Sequence, residues 1–291
     1  MQKTKLRWLY LAILSLVWGS SFILIKKSLI GLTPMQLGAL RTLFAAVFLF
    51  LIGFKSIRAI AVSDWKWVAI SAFAGSFIPA FLFAFAETEI DSGIASILNS
   101  TTPLVTLILG MLVFSIRFNK NQFIGVCVGL LGCLALILEG ASVNPNQNYW
   151  YALLVLLASI CYAVNVNIIK RYMQHIPPMA IANGNFILLI IPAMIVLYFS
   201  DFFKIEVISN SKTHTSLLYI AILATVGTGI AKVVFNKLVQ ISTPVFATSV
   251  TYTIPIVALF WGVLDDEKFT FYQVIASGVI VFGVYLTNRN R

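Results

Sequence analysis

Ionisable side chains are scarce in this chain, so the few inside apolar stretches mark where its chemistry lies. Of 291 residues, 60% are hydrophobic and 10% are charged. Arg41 and Lys232 each fall within an apolar stretch, where a cation is costly unless it is paired or faces a watery cavity. Arg41 stands seven residues after Pro34, roughly 10 Å below the start of its stretch at 1.5 Å per residue. Two readings are open for it. It pairs with Glu87, Glu89 or Asp91 as an outer gate or structural tie, or it touches a substrate. Lys232 stands eight residues before Gln240, about 12 Å from the opposite face. It either snorkels to the interface or binds an anionic group such as a carboxylate.

Uncharged polar residues recur at helical spacing. They form stripes at Ser92, Ser96, Asn99 and Thr106, at Thr248, Thr251 and Tyr252, and at Ser159, Tyr162 and Asn165. Two more stripes run through Thr225, Thr228, Lys232 and Asn236, and through Ser15, Trp18 and Ser21. Such groups can hydrogen-bond a small polar solute along a path. The plainer alternative is bonding between helices, worth about 0.6 kcal/mol on average. Together the stripes favour a cavity, with Trp18, Ser21, Asn99, Tyr162, Asn165, Thr228, Lys232 and Tyr252 as the expected binding set. Pro79, Pro103, Pro192 and Pro255 interrupt apolar stretches. Each removes a backbone donor and frees a carbonyl, which either faces substrate or is bridged by a neighbouring side chain. Arg41, Glu87, Pro103 and Pro255 are the expected gating or structural residues.

Other chemistries lack their residues. Cys127, Cys133 and Cys161 sit in apolar stretches, odd in number and without nearby His, so neither disulfides nor a metal site is expected. His175 and His214 are far apart, and no nucleophile elbow or phosphate loop occurs. No cofactor is implied. The net charge of +10 has no basic cluster interleaved with exposed aromatics, so nucleic acid is not an expected partner.

The elements that must position these residues are membrane spans. A bilayer core requires about 20 mostly apolar residues per helix, and the chain offers ten such stretches. They lie near 8–27, 34–54, 66–87, 92–115, 121–139, 149–170, 178–199, 215–239, 243–263 and 270–287. Alternating polarity is absent, which excludes strands. The first stretch is longer than a signal-peptide core and has no cleavage site after it, so it reads as a retained span. Thirteen Lys and Arg fall on the N-terminal side of the bilayer and five on the other. The positive-inside rule therefore predicts both termini in the cytoplasm. Spans 1, 4, 6, 8 and 9 carry the stripes and should line a central path, with spans 5 and 10 peripheral. Gly125, Gly129 and Gly132 in span 5 allow close helix packing, within a monomer or across a homodimer.

The two halves repeat. Pro34-Met35 opens span 2 and Pro178-Met179 opens span 7, an offset of 144 (178 − 34) that also relates Trp18 to Tyr162. Pro103 and Pro255 are 152 apart (255 − 103). An odd number of spans per half inverts the second, a common plan for secondary transporters.

The stretches "LVWGSSFILIKKSL" and "LTPMQLGALRTLFAAVFLFL", with the half-endings at 95–132 and 247–283 and their twin prolines, resemble the EamA-type drug/metabolite transporter superfamily over essentially the whole chain. The family often ends span 4 or 9 with an acidic-basic pair. Glu267-Lys268 fits this, whereas Ile116-Arg117 has lost the acid. The resemblance implies an all-α polytopic protein of ten helices in two inverted five-helix repeats, 1–140 and 149–291, joined by a loop at 141–148. It implies efflux or exchange of small organic metabolites, amino acids foremost, across a bacterial inner membrane. No carboxylate falls in mid-span, so facilitation or exchange stands beside proton coupling. An integral membrane enzyme and a pore-type protein are the alternative classes.

Overall fold

The computed structural model describes residues 2–117, 119–143, 148–264 and 271–288, and these contain helices and short connections with no strand among them. The helices are α1 (Gln2–Ser28), α2 (Pro34–Gly53), α3 (Val62–Ala86), α4 (Ser92–Leu112), α5 (Lys120–Val143), α6 (Ala152–Tyr172), α7 (Pro178–Phe199), α8 (Ser211–Ile241), α9 (Pro244–Gly262) and α10 (Phe271–Asn288). Eight of these segments, α1–α4 and α6–α9, are long and apolar enough to cross a membrane. Their outer faces carry large exposed apolar residues such as Leu16, Leu51, Leu112, Ile191 and Leu218. Such a surface suits lipid and not water. Asp265, Asp266, Glu267, Lys268, Arg289 and Arg291 lie outside the described residues, as do residues 144–147 of the 141–148 connection.

The helices begin where sequence chemistry favours a start. Thr33 caps α2 with a reciprocal capping box. Its hydroxyl accepts from Gln36 N–H at 3.3 Å, and Gln36 Oε1 accepts from Thr33 N–H at 3.0 Å. Pro34 follows at the first helical position, where its missing N–H costs nothing. Asn119 and Gln122 make the same exchange ahead of α5, at 2.8 and 3.1 Å.

Four of the spanning segments are irregular. In α3 the backbone is π-wound over Phe73–Phe77, and in α8 over Leu223–Ile230. The α4 helix breaks after Asn99, and α9 breaks after Thr248. Prolines explain part of this, since each withholds the N–H that would address the carbonyl four residues earlier. Pro79 leaves Gly75, Pro103 leaves Asn99 and Pro255 leaves Thr251. Each of these three carbonyls has found a side-chain donor. Lys232 Nζ donates to Gly75 O at 2.9 Å, Thr102 Oγ1 to Asn99 O at 2.6 Å, and Ser100 Oγ to Thr251 O at 2.7 Å. The kinks are therefore bridged by side chains.

Packing joins the two halves of the chain throughout. The α1 helix lies against α8 and α9, α6 lies against α3 and α4, and α2 lies against α7. Ser15 and Thr253 hydroxyls hydrogen-bond between α1 and α9, and Asn167 Nδ2 donates to Thr106 O at 3.1 Å between α6 and α4. The α5 and α10 helices pack chiefly on each other. A Cβ on Gly283 would stand 2.5 Å from Gly129 N and 2.8 Å from Gly125 O. Only glycine permits that crossing, so these small residues join helices within one chain.

Candidate functional site

One cavity lies between the eight spanning segments. It holds about 970 Å³ of unfilled space, counting its open part, and is lined from α1–α4 and α6–α9. No described residue of α5 or α10 contributes to it. A lining of aromatic side chains with a few convergent polar groups suits a small molecule.

Two aromatic pairs frame the cavity in equivalent ways. Trp18 from α1 leans on Phe235 from α8 with ring centroids 5.0 Å apart. Tyr162 from α6 stacks on Phe83 from α3 at 6.1 Å. Tyr162 follows Trp18 by 144 residues (162 − 18), and Phe235 follows Phe83 by 152 (235 − 83). The same offsets relate two close approaches of side chain to backbone. The Asn165 amide lies so near Gly75 that a Cβ there would meet it at 2.5–2.6 Å, and a Cβ on Gly227 would meet Ser21 Oγ at 2.8 Å. Both glycines sit in the π-wound turns, which re-aim backbone groups. Gly75 O accepts from Lys232, and Gly227 O accepts from Trp18 Nε1 at 3.0 Å.

Two cations reach the cavity. Lys232 is 6% exposed and donates to Gly75 O, so its ammonium points into the protein and does not snorkel. Arg41 Nε donates to Thr228 Oγ1 at 2.8 Å. Lys232 follows Thr228 by one helical turn, which sets both on one face of α8. Neither cation forms an ion pair among the described residues. Arg41 in particular makes no contact ion pair with Glu87, although the two lie within electrostatic reach of each other. That carboxylate lies outside the cavity lining and accepts from Ser92 Oγ at 3.0 Å through Oε2, while Oε1 has no hydrogen-bond partner among the described residues.

Of the expected binding residues, Trp18, Ser21, Asn99, Tyr162, Asn165, Thr228 and Lys232 all line this cavity. Tyr252 does not. Its ring is fully buried against Gly129 of α5, and its hydroxyl donates to Val126 O at 3.1 Å. Thr251, one residue earlier, faces the cavity. A single residue turns a helix by about 100°, and that rotation carries Tyr252 outward. Pro103 and Pro255 are also absent from the lining, and the carbonyls they free are bonded by Thr102 and Ser100.

The structure adds lining that the polar stripes did not reveal. Arg41 and Thr42 enter from α2, Gly75 and Ser76 from α3, and Phe186 from α7. Behind them, Ser71 Oγ donates to Asn165 Oδ1 at 2.6 Å and lies 3.1 Å from the Asn185 amide. One sequence signal pointed to α3. Gly75-Ser76 and Gly227-Thr228 are 152 apart (227 − 75), the offset of the twin prolines.

The fold and cavity define an integral membrane transporter of small molecules. The chain belongs to the EamA-like transporter family, which matches residues 6–138 and 149–289. It is 28% identical to the uncharacterized inner membrane transporter YedA of Escherichia coli K12, covering 96% of this chain and 89% of that protein. It is also 28% identical to a probable amino-acid metabolite efflux pump of Salmonella typhimurium, covering 95% of this chain and 93% of the pump. A solved crystal structure superposes with a TM-score of 0.74 at 16% identity, over 97% of this chain and 96% of that one. At that identity the superposition speaks for the fold alone.

Proposed function

We propose that this protein moves a small organic metabolite, such as an amino acid, across a bacterial inner membrane by alternating access. The moving parts are two inverted five-helix halves, 1–140 and 149–291, joined at 141–148, with both termini in the cytoplasm. The observation that carries this reading is the repetition of site contacts at fixed offsets. Trp18–Phe235 answers Tyr162–Phe83, and Ser21 against Gly227 answers Asn165 against Gly75. Each half thus supplies an equivalent wall to one shared cavity. In an inverted pair, exchanging the two halves' conformations converts an inward-facing cavity into an outward-facing one. The relative described as a probable amino-acid metabolite efflux pump supports the substrate class.

Counterflow in proteoliposomes tests this reading. Vesicles preloaded with an amino-acid mixture should accumulate labelled solute faster than protein-free vesicles, and Trp18→Ala or Tyr162→Ala should each slow it severalfold. Uptake equal to that of empty vesicles across the mixture counts against transport of this class. An imposed pH gradient separates the energetics, since facilitation or exchange ignores it.

A further inference from the structure

The cavity carries charge of one sign. Arg41 and Lys232 both line it, and no Asp or Glu occurs among its described lining residues. Lys232 is 6% exposed, and its partner is a neutral carbonyl. Arg41 spends one donor on a neutral hydroxyl, which leaves donors of its five-donor guanidinium for another acceptor. Unpaired buried charges are costly, and a cost of this kind is tolerated where a ligand uses it. Around the cations the lining is aromatic, with Phe22, Phe83, Phe186 and Phe235.

We infer that the transported solute bears a net negative charge: a small organic acid whose carboxylate is held between Arg41 and Lys232 while its apolar body lies among the phenylalanines. Oxo acids, hydroxy acids and amino acids with a second carboxylate fit this class. A simple zwitterion fits less well. Its carboxylate is welcomed, but its ammonium meets two cations in a lining whose described residues include no acid, and Glu87, the carboxylate that acts on Arg41, lies outside that lining. Arginine suits the bidentate side of a carboxylate, and lysine supplies a point charge to it. This assignment rests on the transporter reading and narrows it to a charge class.

Matched probes that share a body and differ in charge test it on the full-length protein. One set is phenylpyruvate, L-phenylalanine and phenethylamine; the other is 3-methyl-2-oxobutanoate, L-valine and isobutylamine. Melting temperature in detergent reports binding, and counterflow in liposomes reports transport. The anion should raise the melting temperature at lower concentration than its zwitterion in at least one set, with the amine giving no shift. Arg41→Gln and Lys232→Met should each raise the half-maximal concentration of the anion by about tenfold or more, and Lys232→Arg should keep the preference. Lys232→Met removes a buried charge and also leaves the Gly75 carbonyl without its donor, so each variant's shift is read from that variant's own melting temperature without probe.

The assignment is overturned if no anion outbinds its zwitterion in either set, or if the preference survives both neutral variants. A shift that chloride alone reproduces in full overturns the organic-acid assignment as well. Phenylalanine counterflow without anion preference leaves a transporter whose charge class is wrong. Anion binding without flux leaves the charge class standing and removes the transporter.

Discussion

Gly75 shows how much of this site is built from the absence of a side chain. Its carbonyl, freed by Pro79, holds Lys232, and its bare Cα admits the Asn165 amide. Gly75→Ala would drive a methyl into that amide, which Ser71 holds from behind. Overpacking of this kind costs about 1–3 kcal/mol. The variant should melt lower than wild type and lose counterflow. Adding Asn165→Ala should recover much of the melting temperature, because it removes the clashing atoms. Gly227→Ala should cost less, since its nearest contact is the single hydroxyl of Ser21. Melting curves of these variants check the order, and a double variant no more stable than Gly75→Ala counts against the packing account. Little of this was legible from residue types. Trp18 and Tyr162 stand out as aromatics within polar stripes, but Phe83 and Phe235 are two of 23 phenylalanines and carry no distinguishing pattern.

Helical elements were easier to read than their orientation. Length and apolar composition located α1–α4 and α6–α9, and the stripes picked out α1, α4, α6, α8 and α9 as lining. The contribution of α2 was one of two open readings of Arg41, while those of α3 and α7 stayed hidden, because they enter with a backbone carbonyl and a phenylalanine. Polar periodicity cannot report such groups. Prolines gave the right places and left the partner open. Across the α4–α9 contact, Ser100 Oγ donates to the Thr251 carbonyl that Pro255 leaves free. Ser100→Ala should orphan that buried acceptor at a cost of about 1–3 kcal/mol. Pro255→Ala restores the N–H that a regular helix aims at the same carbonyl. Ser100→Ala/Pro255→Ala should therefore melt higher than Ser100→Ala alone. If it melts lower, the proline does more for α9 than withhold one donor.

At the scale of the molecule, the repeated offsets leave one geometric question, whether the second half lies upside down relative to the first. The contacts alone are consistent with a shared axis: α1 lies between α8 and α9 as α6 lies between α3 and α4. Charge decides the expected sense. With ten spans, lysines and arginines would be concentrated on the side holding the α2–α3 connection, and the α7–α8 connection would fall on the other. These two connections occupy the same place in their respective halves. A parallel repeat would put both on one side of the membrane; an inverted repeat puts them on opposite sides. Ser63, in the first turn of α3 beside the α2–α3 connection, and Asn210, in the α7–α8 connection, are both exposed, and each can be replaced singly by cysteine in a background lacking Cys127, Cys133 and Cys161. A membrane-impermeant maleimide applied to intact cells should label Asn210→Cys at once, and Ser63→Cys only after the membrane is opened. Labelling of both from outside, or of neither, would remove the inversion. Alternating access by exchange of equivalent halves would fall with it, because two halves inserted in the same sense cannot mirror an inward-facing cavity into an outward-facing one.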